Sequence, residues 1–127
     1  MLRASVKVDF ATLNFGNYST TEQDTGFTWV DGKKIYKKSI YTGSLPTAGG
    51  TTNIDIGVNN LDKIINLQGI VWYSNGITLP LPYASPATNG TSSVSCGINA
   101  NKQISILAGT DRSGAAGYVT LYYTKTS

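Results

Sequence analysis

Apolar and polar residues alternate with a period of two along most of the chain. Val6, Val8 and Phe10 bracket Lys7 and Asp9, Ile54, Ile56 and Val58 bracket Asp55 and Gly57, and Val94, Cys96 and Ile98 repeat the pattern. Near the end, Val119, Leu121 and Tyr123 alternate with Tyr118, Thr120, Tyr122 and Thr124. This spacing sends one side of an extended strand into a core and the other into water. The closing strand should therefore present two tyrosines on the side opposite its buried trio. Residues 63–73 break the alternation, because Ile64, Ile65, Leu67, Ile70, Val71 and Trp72 are too many for one face. The expectation there is a central strand covered on both sides. Ile77, Leu79 and Leu81 alternate again, but Pro80 and Pro82 lack the ladder donor and demote the segment to a sheet edge.

Turn chemistry separates these runs. Asp31-Gly32 lies between two β-prone stretches, Trp29-Val30 and Ile35–Tyr41, which is a strong hairpin signal. Asn59-Asn60, Ser74-Asn75-Gly76 and Asn99–Lys102 read as turns, and 43–51, 86–93 and 110–117 as loops. The stretch 14–26 is polar and reads as a connector. About eight or nine strands at roughly ten-residue spacing, with no helical period, predict an all-β protein. The expected architecture is a single antiparallel β-sandwich or jelly-roll-like domain over 17–127, preceded by an arm or the end of a shaft over 1–16.

Composition narrows the chemistry. Thr, Ser, Asn and Gly together make 52 of the 127 residues, charged residues are only 13%, and Glu22 is the sole Glu. That mixture suits strands and turns and argues against a helical bundle. No apolar run of about 18 residues is present to make a membrane helix. The chain has no His, which removes Ser-His-Asp and Cys-His nucleophile pairs and His-based zinc sites. Cys96 is alone, so no internal disulfide forms, and without a His to activate it the residue reads as a small buried apolar group. Asp55 and Asp62 flank one turn, yet nothing in the sequence brings them into one cleft as a carboxylate pair. No metal cluster or phosphate-cradling glycine loop is evident, so neither a cofactor nor an enzyme is expected. The sequons at Asn17 and Asn89 stand without a secretory signal, since Lys7 and Asp9 interrupt any apolar stretch near the start.

The net charge of +3 comes largely from Lys33, Lys34, Lys37 and Lys38. In a strand these lysines split between both faces, unlike a phosphate-binding stripe. Protection of an edge strand is the expected role, and nucleic acid is not an expected partner. Recognition chemistry is better supplied. Aromatic faces with Asn, Asp and Arg suit sugars, and three loops offer that mixture: Trp72, Tyr73 and Asn75 in one, Tyr83 in another, Asp111 and Arg112 in the third. Against each stands a plainer role, with Trp72 in the core and Asp111-Arg112 as a polar turn.

The segment Tyr18-Ser-Thr-Thr-Glu22-Gln-Asp-Thr-Gly26-Phe-Thr-Trp29-Val-Asp-Gly-Lys-Lys-Ile-Tyr36-Lys-Lys38 resembles the opening signature of C-terminal, receptor-binding domains of bacteriophage and prophage tail-fibre proteins. The ending Gly117-Tyr-Val-Thr-Leu-Tyr122-Tyr-Thr-Lys-Thr126 is similar to that family's close. Asn60-Leu-Asp62-Lys-Ile-Ile65, Gly69, Ser74-Asn75-Gly76 and Leu81-Pro82-Tyr83 are similar to its middle. The chain departs at Lys34, often Pro in the family, and at Tyr122, often Glu. The resemblance implies a homotrimeric head at a fibre tip in the virion, without catalysis, in contact with other tail proteins and with a host surface polysaccharide or protein. It assigns no binding residues. It implies that Trp29, Tyr36 and Tyr122 are buried between subunits. Manufacture in the bacterial cytoplasm without a signal peptide, and no membrane insertion, follow from the same reading. A purely structural trimeric cap and a carbohydrate-active domain are the alternatives.

Overall fold

The computed structural model describes residues 18–84 and 91–126. Expectations for the arm over 1–16, the strand at 6–10 and the two sequons lie outside the described residues. The rest is all-β: β1 (Gln23–Thr28), β2 (Lys34–Tyr41), β3 (Thr51–Asp55), β4 (Leu61–Tyr73), β5 (Thr78–Leu81), β6 (Val94–Ile98), β7 (Gln103–Ala108) and β8 (Ala115–Lys125). Two antiparallel sheets face each other as the alternation requires. One has the order β1-β2-β8-β4-β5 and the other β3-β7-β6. At one margin the sheets are stitched by a bridge between Tyr83 and Val94, which exchange backbone hydrogen bonds of 2.8 and 2.9 Å.

The core lies where the alternating runs meet. Val119, Leu121 and Tyr123 of β8 and Val71 of β4 are buried against Ile104 and Ile106 of β7, with Leu45, Ile56 and Leu61 closing the ends. The closing strand does carry its other two tyrosines on the opposite side, as its pattern predicts: Tyr118 is exposed and Tyr122 half-buried. β5 is a sheet edge, and Pro80 sits in it opposite Ile70.

Three hairpins share one turn. In each, the third residue after the one that opens the turn donates its N–H back to that residue's carbonyl, and the opening residue's own N–H bonds the fourth. The pairs are Gly32 to Trp29 and Trp29 to Lys33, Gly76 to Tyr73 and Tyr73 to Ile77, and Lys102 to Asn99 and Asn99 to Gln103. The last turn residue adopts positive φ, 86° at Gly32 and 92° at Gly76, which glycine accepts without strain. The third hairpin puts Lys102 there at 58°. Its ammonium reaches the Leu61 carbonyl at 2.8 Å. Comparing Lys102→Gly with Lys102→Ala removes that bond from both and isolates the backbone. The glycine variant is expected to be more stable by about 1 kcal/mol in urea unfolding. Equal stabilities would contradict a left-handed strain at this turn.

Three expectations need correction. β4 is not covered on both sides: Ile70 is 41% and Trp72 46% exposed. Its excess of apolar residues has two causes. Two register irregularities, between Leu61 and Ile64 and between Ile64 and Asn66, each add a residue to β4, and the far side of the sheet is itself apolar. The lysine-rich strand is not an edge. β2 lies between β1 and β8, and β1, in the stretch that read as a connector, takes the margin. The lysines do split between faces, but each has a specific partner. Lys33 pairs with Asp62 at 2.8 Å, Lys34 with Asp24 at 3.4 Å, and Lys38 donates to the Ile56 carbonyl at 2.7 Å. Lys37 is only 2% exposed. Finally, Trp29, Tyr36 and Tyr122 do not form one surface. Tyr36 points inward and stacks on Tyr123 at 6.1 Å, Tyr122 lies on the opposite face, and Trp29 is half-buried at the β1–β2 turn.

Candidate functional site

The outer face of the five-stranded sheet is built in rows set by the strand register. Lys37, Tyr122 and Asn66 make one row, and Ser39, Thr120 and Gln68 the next. Tyr41, Tyr118, Ile70 and Pro80 follow, then Ala116, Trp72 and Thr78. The face thus grades from polar to aromatic. Tyr41 and Tyr118 lie with ring centroids 5.4 Å apart and planes tilted by 57°, an edge-inclined pair. Ser39 and Thr120 share a 2.8 Å hydroxyl–hydroxyl bond on the floor.

The segment Tyr18–Thr20 turns this face into a groove. The Ser39 N–H donates to the Ser19 carbonyl at 2.9 Å, so the strap continues the β1 side of the sheet. The Tyr18 ring covers the Lys37 ammonium at 3.9 Å, and Tyr122 approaches the same ammonium at 5.5 Å. Cation–π contact is thereby what the buried Lys37 receives in place of water. Below the strap, Glu22 accepts from the Tyr123 hydroxyl and pairs with Lys125, whose ammonium sits 4.3 Å from the Tyr36 ring centroid. Burial, reinforced by the Glu22 carboxylate, pushes the Tyr123 phenol far above its ordinary range. The groove between strap and sheet encloses about 550 Å³ and is lined by Tyr18, Gln68, Ile70, Trp72, Tyr118 and Thr120 among others. That volume falls within the roughly 300–1,000 Å³ of ligand clefts.

Of the residues singled out from sequence, Trp72 alone lines this groove. Its role is the opposite of a core tryptophan. Tyr73, Tyr83 and Arg112 come together elsewhere, at the sandwich end, but as internal struts. Arg112 donates to the Tyr73 hydroxyl at 3.3 Å and to the Ser92 carbonyl, and its guanidinium carbon lies 5.6 Å from the Tyr83 ring centroid. Asn75 and Asp111 are turn formers. The Asn75 carbonyl oxygen accepts the Ile77 N–H at 3.0 Å, and Asp111 accepts the Ser113 N–H at 2.9 Å. Hydrogen bonds from Ser113 hold the Asp111 carboxyl below its usual range. These five residues are spoken for within the fold.

Sequence reasoning missed Gln68, Tyr118 and the strap. Tyr118 was legible as the wet side of β8. The strap was not, because its position depends on Lys37 being beneath it.

The groups that could do chemistry are dispersed. Asp62 is on the large sheet, tied to Lys33 and to Thr124 at 3.0 Å, and these bonds hold its carboxyl below the usual range. Asp55 is on the small sheet and accepts from Gln103 at 2.8 Å. The two carboxylates therefore stand on different sheets. Cys96 is half-buried, and burial raises its thiol to about 11, so it is a poor nucleophile. No cluster of three His, Cys, Asp or Glu occurs among the described residues. Comparison with protein-family models, curated proteins and solved structures gives no match in any of the three.

Proposed function

We propose that the chain is a non-enzymatic attachment domain of a phage tail fibre, holding the virion to a glycan or protein on a bacterial surface. The observation that carries this reading is the outer-face groove. An exposed Trp and Tyr stand beside neutral hydrogen-bonding side chains, while the described carboxylates and most of the described lysines are engaged elsewhere and the Cys96 thiol lies on the other sheet. Recognition surfaces of this kind use rigid aromatics for contact area and small polar groups for hydrogen bonds. The resemblance to tail-fibre heads agrees, since its opening motif becomes the strap with β1 and β2, and its closing motif becomes β8 beside them. In this reading three copies share one tip, so that weak sites gain by avidity.

The second reading, a structural trimeric cap, draws on the same face. Tyr41, Ile70, Trp72 and Tyr118 are all exposed on it, and such an apolar patch can equally be covered by another copy.

Trp72→Ala separates the two. As an attachment residue it should reduce adsorption of the labelled protein to a panel of bacterial cells by about tenfold or more. The mass from light scattering should stay three times the 13.5 kDa of one chain. Loss of the trimer on the same substitution favours the cap. Unchanged adsorption with an intact trimer removes the groove from attachment altogether.

A further inference from the structure

We infer that the groove takes an uncharged saccharide, and that its affinity is independent of electrostatic attraction. This rests on the attachment reading and names the ligand class of the same site. Charge supplies the first argument. From the Ser39 row to the Trp72 row the face carries no Asp, Glu, Lys or Arg, and neither do the strap residues Tyr18, Ser19 and Thr20. The protein is basic overall, with a net charge of +3, yet Lys37, the cation in contact with the strap among the described residues, is withdrawn beneath two aromatic rings. An anionic ligand such as a sialylated or phosphorylated glycan would therefore enter without a partner and lose hydration on both sides.

Shape and hydrogen-bonding capacity supply the second argument. A neutral pyranose has an apolar CH face and a rim of hydroxyls. The Trp72 and Tyr118 rings, 46% and 40% exposed, offer apolar aromatic surface in the groove beside Ile70. Gln68 is exposed on the floor, and no hydrogen bond to another described residue engages its side-chain amide. The amide can both donate and accept, as a sugar hydroxyl pair requires. Trp72, Tyr18 and Tyr118, which also line the groove, each bring one further donor, an indole N–H and two hydroxyls. A purely apolar ligand would leave these groups unsatisfied, which costs affinity.

Fluorescence tests the inference directly. The chain has two tryptophans, so Trp29→Phe leaves Trp72 as the sole reporter. The full chain carrying Trp29→Phe is titrated with hits from an array of neutral bacterial-surface glycans, and with sialyllactose and glycerol-phosphate polymer as anionic probes. Quenching by at least one neutral glycan is expected, with Kd changing less than about twofold between 50 and 500 mM NaCl, since screening acts only on charge. Gln68→Ala should weaken that binding by about fivefold or more with an unchanged unfolding midpoint. Binding confined to the anionic probes, a Kd that rises about tenfold with salt, or no quenching by any neutral glycan would each overturn the inference. Cell adsorption is measured on the same preparation. Adsorption that persists while the glycans fail rejects the ligand class alone, whereas absence of adsorption rejects the attachment reading itself.

Discussion

Gly117→Ala is expected to lower the thermal unfolding midpoint by at least about 10 °C, corresponding to about 3 kcal/mol or more. Gly117 lies in β8 on the inward side, opposite Val71 of β4. A Cβ built there would stand 1.9 Å from the Ile70 carbonyl oxygen and 2.7 Å from the Val71 Cα. Both atoms are backbone, so no rotamer change relieves the clash, and the central strand pair must separate. The same residue is held from the other side, because Thr42 Oγ1 accepts its N–H at 3.0 Å and the Thr42 N–H bonds its carbonyl at 2.9 Å. It has nowhere to move. Gly97→Ala in β6 is the control, since a Cβ there meets nothing within 4 Å. That variant should stay within about 0.5 kcal/mol of the parent. Similar midpoints for the two would show that β8 and β4 are not this close.

Alkali should destabilise the protein through one phenol. Tyr123 is fully buried, and burial together with its bond to Glu22 raises its pKa well above the ordinary 10.0. The unfolded chain releases this proton near pH 10, while the folded protein keeps it. Above that pH the unfolded state binds fewer protons, so stability falls as pH rises, by about 1.4 kcal/mol per pH unit for the single group. Below pH 10 the contribution is fully present. The Cys96 thiol acts in the same direction over a lower window, from its ordinary 9.0 to about 11. Urea unfolding at pH 8, 10 and 11.5 reads both. Tyr123→Phe should flatten the loss above pH 10, and Cys96→Ala the loss between 9 and 11. At neutral pH, Tyr123→Phe should cost about 1–2 kcal/mol, because Glu22 keeps Lys125 but loses a donor. A profile that is flat from pH 8 to 11.5 in the parent would contradict the buried, protonated phenol.

Much of the architecture was legible because local chemistry and tertiary placement agree. Asp31-Gly32 turns where a hairpin needs it, Pro80 sits on an edge, and the period of two in β8 separates Val119, Leu121 and Tyr123 from Tyr118 and Thr120. The site was less legible for a physical reason. In β4, outward Ile70 and Trp72 are as apolar as inward Val71, so alternation carries no contrast where the groove lies. Lys37 misled for the converse reason. A lysine pattern cannot disclose that a tyrosine from another segment will cover it. Arg112, Tyr73 and Tyr83 have the composition of a binding loop, yet the Arg112 guanidinium spends its terminal nitrogens on Tyr73 and Ser92 and its face on Tyr83, inside the fold. Which sheet each strand joins depends on pairings across the whole chain, and no local window holds that information.

The position of β8 has a consequence for how the molecule comes into being. It follows every other described strand in chain order, yet it lies in the middle of the larger sheet and joins the β1–β2 hairpin to the β4–β5 hairpin. On the ribosome those two hairpins emerge early and then wait, each with an unsatisfied side. The β4–β5 hairpin, ending at Leu81, waits for β8 to finish at Lys125, and the β1–β2 hairpin, ending at Tyr41, waits about twice as long. Pairings so distant in sequence make for slow folding, so both hairpins carry open strand edges until β8 inserts between them.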